Sequence, residues 1–216
     1  VQGEGKVIAI PDVAEFSFTA LTQGGVNLAS LQRENTNKAN GAIAFVKSKQ
    51  VGEKDISTQS YTITPRYTHF DCQSFPVGEK IVSCPPAEII GYEVSQTIAV
   101  KVRNFDVVGE LLSGVVENGA NSIFQLSFTI DDAMSVENEA RRKAIENAKE
   151  KAKAIAKAGD FRLGRLLSIQ EGGGIPPFAR KSFSVGGAFE EVVIAPTIEP
   201  GSQEVRVSVT LTYEIR

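Results

Sequence analysis

At 216 residues the chain is long enough for one large domain or two small ones, with a sizeable core. A formal charge of −3 and the lack of any dense Lys/Arg run exclude global attraction to nucleic acid or an anionic membrane, so no nucleic-acid partner is expected. No apolar stretch reaches the roughly 20 residues of a membrane helix, so membrane association is expected only through a segment outside this sequence, a leader or anchor ahead of Val1.

Gly3 to Leu21 reads as one long strand interrupted at Pro11-Asp12. Ile8, Ile10, Ala14, Phe16, Phe18 and Ala20 keep one parity across the break and are expected on its buried face. Pro11 has no N–H, which places it at a sheet edge or a bend, and a bend lets the strand serve two packing surfaces. Leu28, Leu31, Ala39, Ala42, Ile43 and Val46 recur at helical spacing and predict a helix over 27–50, with Gly52 beyond its end. Strands follow at 56–66, with Tyr61 and Ile63 on one face, and at 90–102, where Ile90, Tyr92, Val94, Ile98, Val100 and Val102 alternate with a largely polar face. The irregular stretch 67–88 between them carries both cysteines. A helix over 106–118, capped by Asn104 or Asp106 and ended by Gly119, carries Val107, Val108, Leu111, Leu112, Val115 and Val116 at helical spacing.

Asn118 to Gly172 reads without a break as strand, long helix, strand. Phe124, Leu126, Phe128 and Ile130 share one face. Asp131, Asp132 and Ser135 offer helix caps, and Ala140, Ala144, Ile145, Ala148, Ala152, Ile155 and Ala156 form a narrow stripe along a helix over 135–158. So narrow a stripe predicts that this helix lies close against a sheet. Gly159 ends it, and Leu163, Leu167 and Ile169 resume a period of two. Residues 172–197 are a Gly/Pro-rich loop with a short strand at Val192 to Ala195. Val205, Val207, Val209, Leu211, Tyr213 and Ile215 then alternate with polar residues in a last strand with one wet face. The predicted fold class is α+β, a ferredoxin-like βαββαβ order extended by the long helix and further antiparallel strands. The whole of 1–216 is expected to form a single domain, open to division into two lobes at the Pro11 bend.

Chemistry is less plain than fold. Cys72 and Cys84 lie twelve positions apart in a loop with few other restraints. That favours a disulfide, for which the chain-entropy model gives roughly 3 kcal/mol, and an oxidising compartment; two unpaired cytosolic thiols are the alternative. His69 is a third possible metal ligand beside these cysteines, but structural zinc takes four ligands and the sequence has a single histidine, so no metal or other cofactor is expected. Gly172-Gly173-Gly174 lacks the Lys-Ser/Thr of a phosphate cradle and reads as a hinge. Gly3-Glu4-Gly5 precedes a strand, the wrong side for a dinucleotide fingerprint. Phe178, Phe183 and Phe189, with Arg180, stand among glycines and prolines and call for cover, either from their own sheet or from another copy of the chain.

Gly3, Gly5, Pro11, Asp12 and Ala14 stand where a Gly-x-Gly strand runs into Pro-Asp-x-Ala. In order after them come Asp55-Ile56-Ser57-Thr58, Tyr61, Pro65, Gly91-Tyr92, Gly119-Ala120-Asn121, Phe128, Ala140 through Lys151-Ala152, Leu163-Gly164-Arg165, Ser168 and Glu199-Pro200-Gly201. Spread over nearly the whole chain, these residues resemble the SIMPL family, the YggE-like proteins of the bacterial envelope. The resemblance implies an α+β fold, a periplasmic, cell-surface or secreted location, a link to oxidative and envelope stress, and a homo-oligomer. It supplies no catalytic residues. The cysteine loop and the phenylalanine-bearing stretch depart from the family pattern. The expected function is therefore that of a non-enzymatic envelope protein acting through self-association or a protein partner. The alternatives are a hydrolase or redox enzyme using Cys72, Cys84 and His69, and a small-ligand binding module lined by the loop phenylalanines.

Overall fold

Pro11 and Asp12 separate two strands that join different sheets, β1 (Gln2–Ala9) and β2 (Val13–Gly24). This computed structural model describes residues 1–70, 85–172 and 199–216. After β2 come α1 (Leu28–Ser48), β3 (Ile56–Tyr67), β4 (Ile89–Val102), α2 (Val108–Glu117) and β5 (Ser122–Thr129). The chain continues through α3 (Ala133–Ala158), β6 (Leu163–Gly172) and β7 (Gln203–Ile215). One sheet has the order β1-β7-β6 and the other β3-β4-β2-β5. The pairs β1–β7, β6–β7 and β3–β4 are antiparallel. The class is α+β, as the sequence predicts. The described residues fall into two compact units, one of 1–14, 127–172 and 199–216, the other of 15–70 and 85–126.

In the first unit, α3 starts where Asp132 accepts the Ser135 N–H at 3.0 Å, the capping role expected of this aspartate pair. The Asp131 N–H donates to Asp12 Oδ1 at 2.8 Å, and the Asp12 N–H to the Thr129 carbonyl at 3.1 Å, which ties the Pro11-Asp12 break to the start of the helix. Every fourth residue of α3 from Ala140 to Ala156 is buried. This stripe packs on Val7, Val205, Val207, Val209 and Leu211. Beneath it lie Gly3 and Gly5, where an added Cβ would overlap the Ala144 and Ala140 carbonyl oxygens. Helix and strand thus meet backbone to backbone, and the expectation of a close-lying helix holds.

The expected parity of β1 does not. Ile8 and Ile10 are 75% and 73% exposed, and the buried positions are Gly3, Gly5 and Val7. Under a helix this close only glycines fit at positions 3 and 5; Val7 is buried on the same parity, and Ile8, on the opposite parity, points away from the helix. Ile155 is exposed for a related reason: the contact is so narrow that alanines alone fill it. At the helix end the left-handed residue is Asp160, at φ 55°, rather than Gly159.

The second unit is packed by larger side chains. Phe16, Phe18, Val94, Ile98 and Leu111 are buried with Val46 of α1. Burying each of the phenylalanines is worth about 1.5–3 kcal/mol relative to exposure. Gly119, at φ 122°, turns the chain from α2 towards β5. Phe124 was expected on the face of Leu126 and Phe128 but is exposed. Gln125, at φ 47°, breaks the alternation between them and turns Phe124 outwards.

The glycine-to-alanine contact gives a direct test. Gly5→Ala is expected to destabilise the protein by about 1–3 kcal/mol in chemical denaturation, because a methyl group has nowhere to go under α3. Gly25→Ala, with open space around the added carbon, is the control and should change little.

Candidate interaction surfaces

The residues singled out in the sequence divide into three groups. Gly3, Gly5 and Pro11 are buried, and Asp12 anchors the turn before α3. His69 is exposed just beyond β3. Cys72, Cys84, Phe178, Arg180, Phe183, Phe189 and the short strand expected at Val192 to Ala195 lie outside the described residues. Among the described residues, no three or more His, Cys, Asp or Glu side chains come together in a metal-binding group. No helix among them is long and apolar enough to cross a membrane.

The first unit leaves one side of its sheet partly bare. The register pairs Leu163 with Ile215, Leu166 with Tyr213 and Ile169 with Leu211, which puts these residues on the helix-facing side. α3 lies mainly over β1 and β7, and among the described residues β6 is only partly covered: Leu166 is 40%, Ile169 55% and Ile215 66% exposed. Leu167, at a shift in register, is exposed too, so the expected period of two in β6 fails where the strand is irregular. A clasp joins α3 to this strand. Arg141 donates through Nε and Nη2 to the two carboxylate oxygens of Glu171, at 2.9 and 3.0 Å. The guanidinium's hydrogen bonding and charge hold the Glu171 carboxyl below its ordinary range, against a smaller opposing effect of burial.

On the other side of the helix an open groove is lined by Gln2, Glu4, Asn147, Glu150, Lys151 and Ser208. Its strongest donors are already engaged. Asn147 donates to the Glu4 carbonyl at 2.7 Å and Lys151 to the Gln2 carbonyl at 3.4 Å. An ion pair between Glu139 and Lys143, at 2.8 Å, sits on the solvated face of α3.

Among the described residues the second unit buries the polar side chains of Thr19, Thr22 and Asn35, and Asn35, the most deeply enclosed, is one the sequence reading passed over. It occupies the fourth position after Leu31 and before Ala39, both buried, so its spacing was the available signal. Its Nδ2 donates to the carbonyls of Ala20 in β2 at 2.7 Å and Val94 in β4 at 3.0 Å, pinning α1 to the middle of the sheet. Removing a buried donor of this kind leaves two carbonyls short of a partner, which typically costs about 1–3 kcal/mol. The β3–β4 ribbon exposes Tyr61, Tyr67, Phe70, Ile89 and Ile90.

These features define an α+β protein whose distinctive sites, among the described residues, are surfaces. The SIMPL family, described as protein of unknown function (DUF541), matches residues 1–213, and the chain belongs to that family. It is 32% identical over 223 residues to the 26 kDa periplasmic immunogenic protein of Brucella melitensis, covering 100% of this chain and 84% of the relative. With the uncharacterized protein YggE of Escherichia coli (strain K12) it shares 26% identity over 168 residues, 78% of this chain and 63% of that one.

The clasp predicts a pH dependence. A carboxyl whose folded-state pKa is lowered contributes stability above its unfolded value of about 4.3, and that stability is lost as pH falls through the folded value. Glu171→Gln should therefore lower the thermal unfolding midpoint slightly at about pH 7 and low salt, and the difference from the parent should close as the pH falls below the ordinary carboxylate range. An undiminished difference in acid would show that the carboxylate charge is not what matters.

Proposed function

We propose that this protein is a non-enzymatic component of the bacterial envelope that works by holding protein surfaces together, its own copies first among them. The observation that carries this reading is the bare apolar side of β6. Leu166, Ile169 and Ile215 lie on one face of one strand pair and are open to water, where burial by a partner is favourable. The periplasmic name of the Brucella relative supports the compartment. A role in envelope or oxidative-stress defence is part of the same proposal and rests on the family resemblance.

The test is solution mass by light scattering over a range of concentrations. Leu166→Ser together with Ile169→Ser should reduce the mass of the assembly at least twofold while the thermal midpoint moves little, since both side chains are already exposed. A parent protein that stays monomeric at every concentration would sink self-association. A second expectation follows from the compartment: Cys72 and Cys84 should be paired. The intact mass of protein purified without reductant should rise by two hydrogens per chain on reduction, and thiols that react before reduction would count against it.

A further inference from the structure

Among the described residues, the two sheets leave four strand edges: β1 and β6 on one, β3 and β5 on the other. Unpaired edges invite pairing with other chains, and folded proteins usually blunt them. Three of the four are blunted. On β1, side chains of α3 already occupy the carbonyls of Gln2 and Glu4, and Glu4 and Lys6 add charge. Along β6, register shifts on both sides of Leu166 distort the strand, and Arg165 and Glu171 are charged. Within β5, the left-handed Gln125 kinks the middle of the strand.

β3 is different. Its one early irregularity lies between Thr58 and Ser60, and from Ser60 to Arg66 it runs in unbroken register with β4, Ser60 opposite Thr97 and Arg66 opposite Gly91. No charged residue occurs from Ile56 to Pro65, and Ser60, Tyr61, Thr62 and Thr64 are exposed. The segment is short, β-prone and bounded. The bulge at Gln59 closes it at one end, and Pro65, which has no N–H to give, closes it at the other.

We propose that residues 60–64 of β3 are the docking edge for the same strand of a second copy, antiparallel about a two-fold axis through Thr62. The proposal rests on the self-association reading above and names a contact for it. The sequence of the segment is what selects its own copy as the occupant. A two-fold axis at Thr62 sets Tyr61 against the partner's Ile63 and Ile63 against the partner's Tyr61, aromatic against β-branched on one face. On the other face Ser60 meets the partner's Thr64, and Thr62 the partner's Thr62, hydroxyl against hydroxyl. No like charges are opposed. The bulge at Gln59 falls opposite the partner's Pro65, so both copies stop pairing at the same place. Such a contact is isologous and closes on itself. Extending a sheet through its backbone is an established route to recognition.

Thr62→Lys places two ammonium groups together across the axis, and Thr62→Glu places two carboxylates there. Each variant alone should lower the mass seen by light scattering at least twofold at a concentration where the parent associates. Mixing the two in equal amounts should restore the parent's mass, because opposite charges then face each other. Thermal unfolding of each variant should match the parent, Thr62 being exposed. Variants that associate like the parent, or a mixture that fails to recover, would overturn the β3 contact while leaving self-association through β6 standing. A parent protein that is monomeric throughout would overturn both.

Discussion

The contact between the backbone of β1 at Gly3 and Gly5 and the backbone of α3 at Ala140, Ala144 and Ala148 governs the first unit. A helix approaches a strand this closely only where neither carries bulk, so the glycines decide where across the sheet the helix comes to rest. It rests over β1 and β7. From there Asn147 and Lys151 reach past the sheet edge to the carbonyls of Glu4 and Gln2, and the same displacement leaves Leu166 and Ile169 without cover on the far side. One packing choice therefore closes an edge and opens a face. Alanine carries little apolar area, so the helix is held by many close dispersion contacts over its length rather than by a few large side chains.

The second unit solves the same problem by other means. Large residues such as Phe16, Phe18, Ile98 and Leu111 fill the space between helices and sheet. What orients α1 is polar. An amide at Asn35 that must find acceptors reaches two strand carbonyls, and in a low-dielectric interior few alternative placements of the helix satisfy it. Close packing in one unit and the two amide donations of Asn35 in the other thus perform the same task of fixing a helix on a sheet.

This difference explains what could be read in the residues alone. The alanine stripe of α3 and the alternation of β7 announce themselves, because period and burial coincide there. β1 misleads: Ile8 and Ile10 suggest a buried face, while the face actually buried is made of glycines, which no hydrophobic count registers. Phe124 and Leu167 mislead for a backbone reason, since a left-handed residue or a bulge changes parity without leaving a pattern in side-chain polarity. The candidate sites were harder still. Attention went to cysteines, a histidine and loop phenylalanines, residue types with distinctive chemistry. The surfaces of β3 and β6 are made of ordinary serine, threonine, leucine and isoleucine, whose meaning depends on which strand lies at an edge and which helix fails to cover it. Neither is visible before the sheets are assembled.

Having two such surfaces on different sheets has a consequence for the proposed assembly. An isologous contact about Thr62 joins two copies and is then used up, so β3 alone yields a pair and nothing larger. Growth beyond a pair requires a second contact of a different kind, and the bare side of β6, belonging to the other sheet, is available for it. The two contacts also differ in character. The β3 contact draws on backbone hydrogen bonds and hydroxyl pairs and depends little on salt, whereas the β6 face is apolar and flanked by the Arg141–Glu171 clasp, so it strengthens with salts excluded from protein surfaces. Salt therefore separates them: conditions that drive pairs into larger assemblies without changing the pairing itself would point to β6 as the contact responsible for growth.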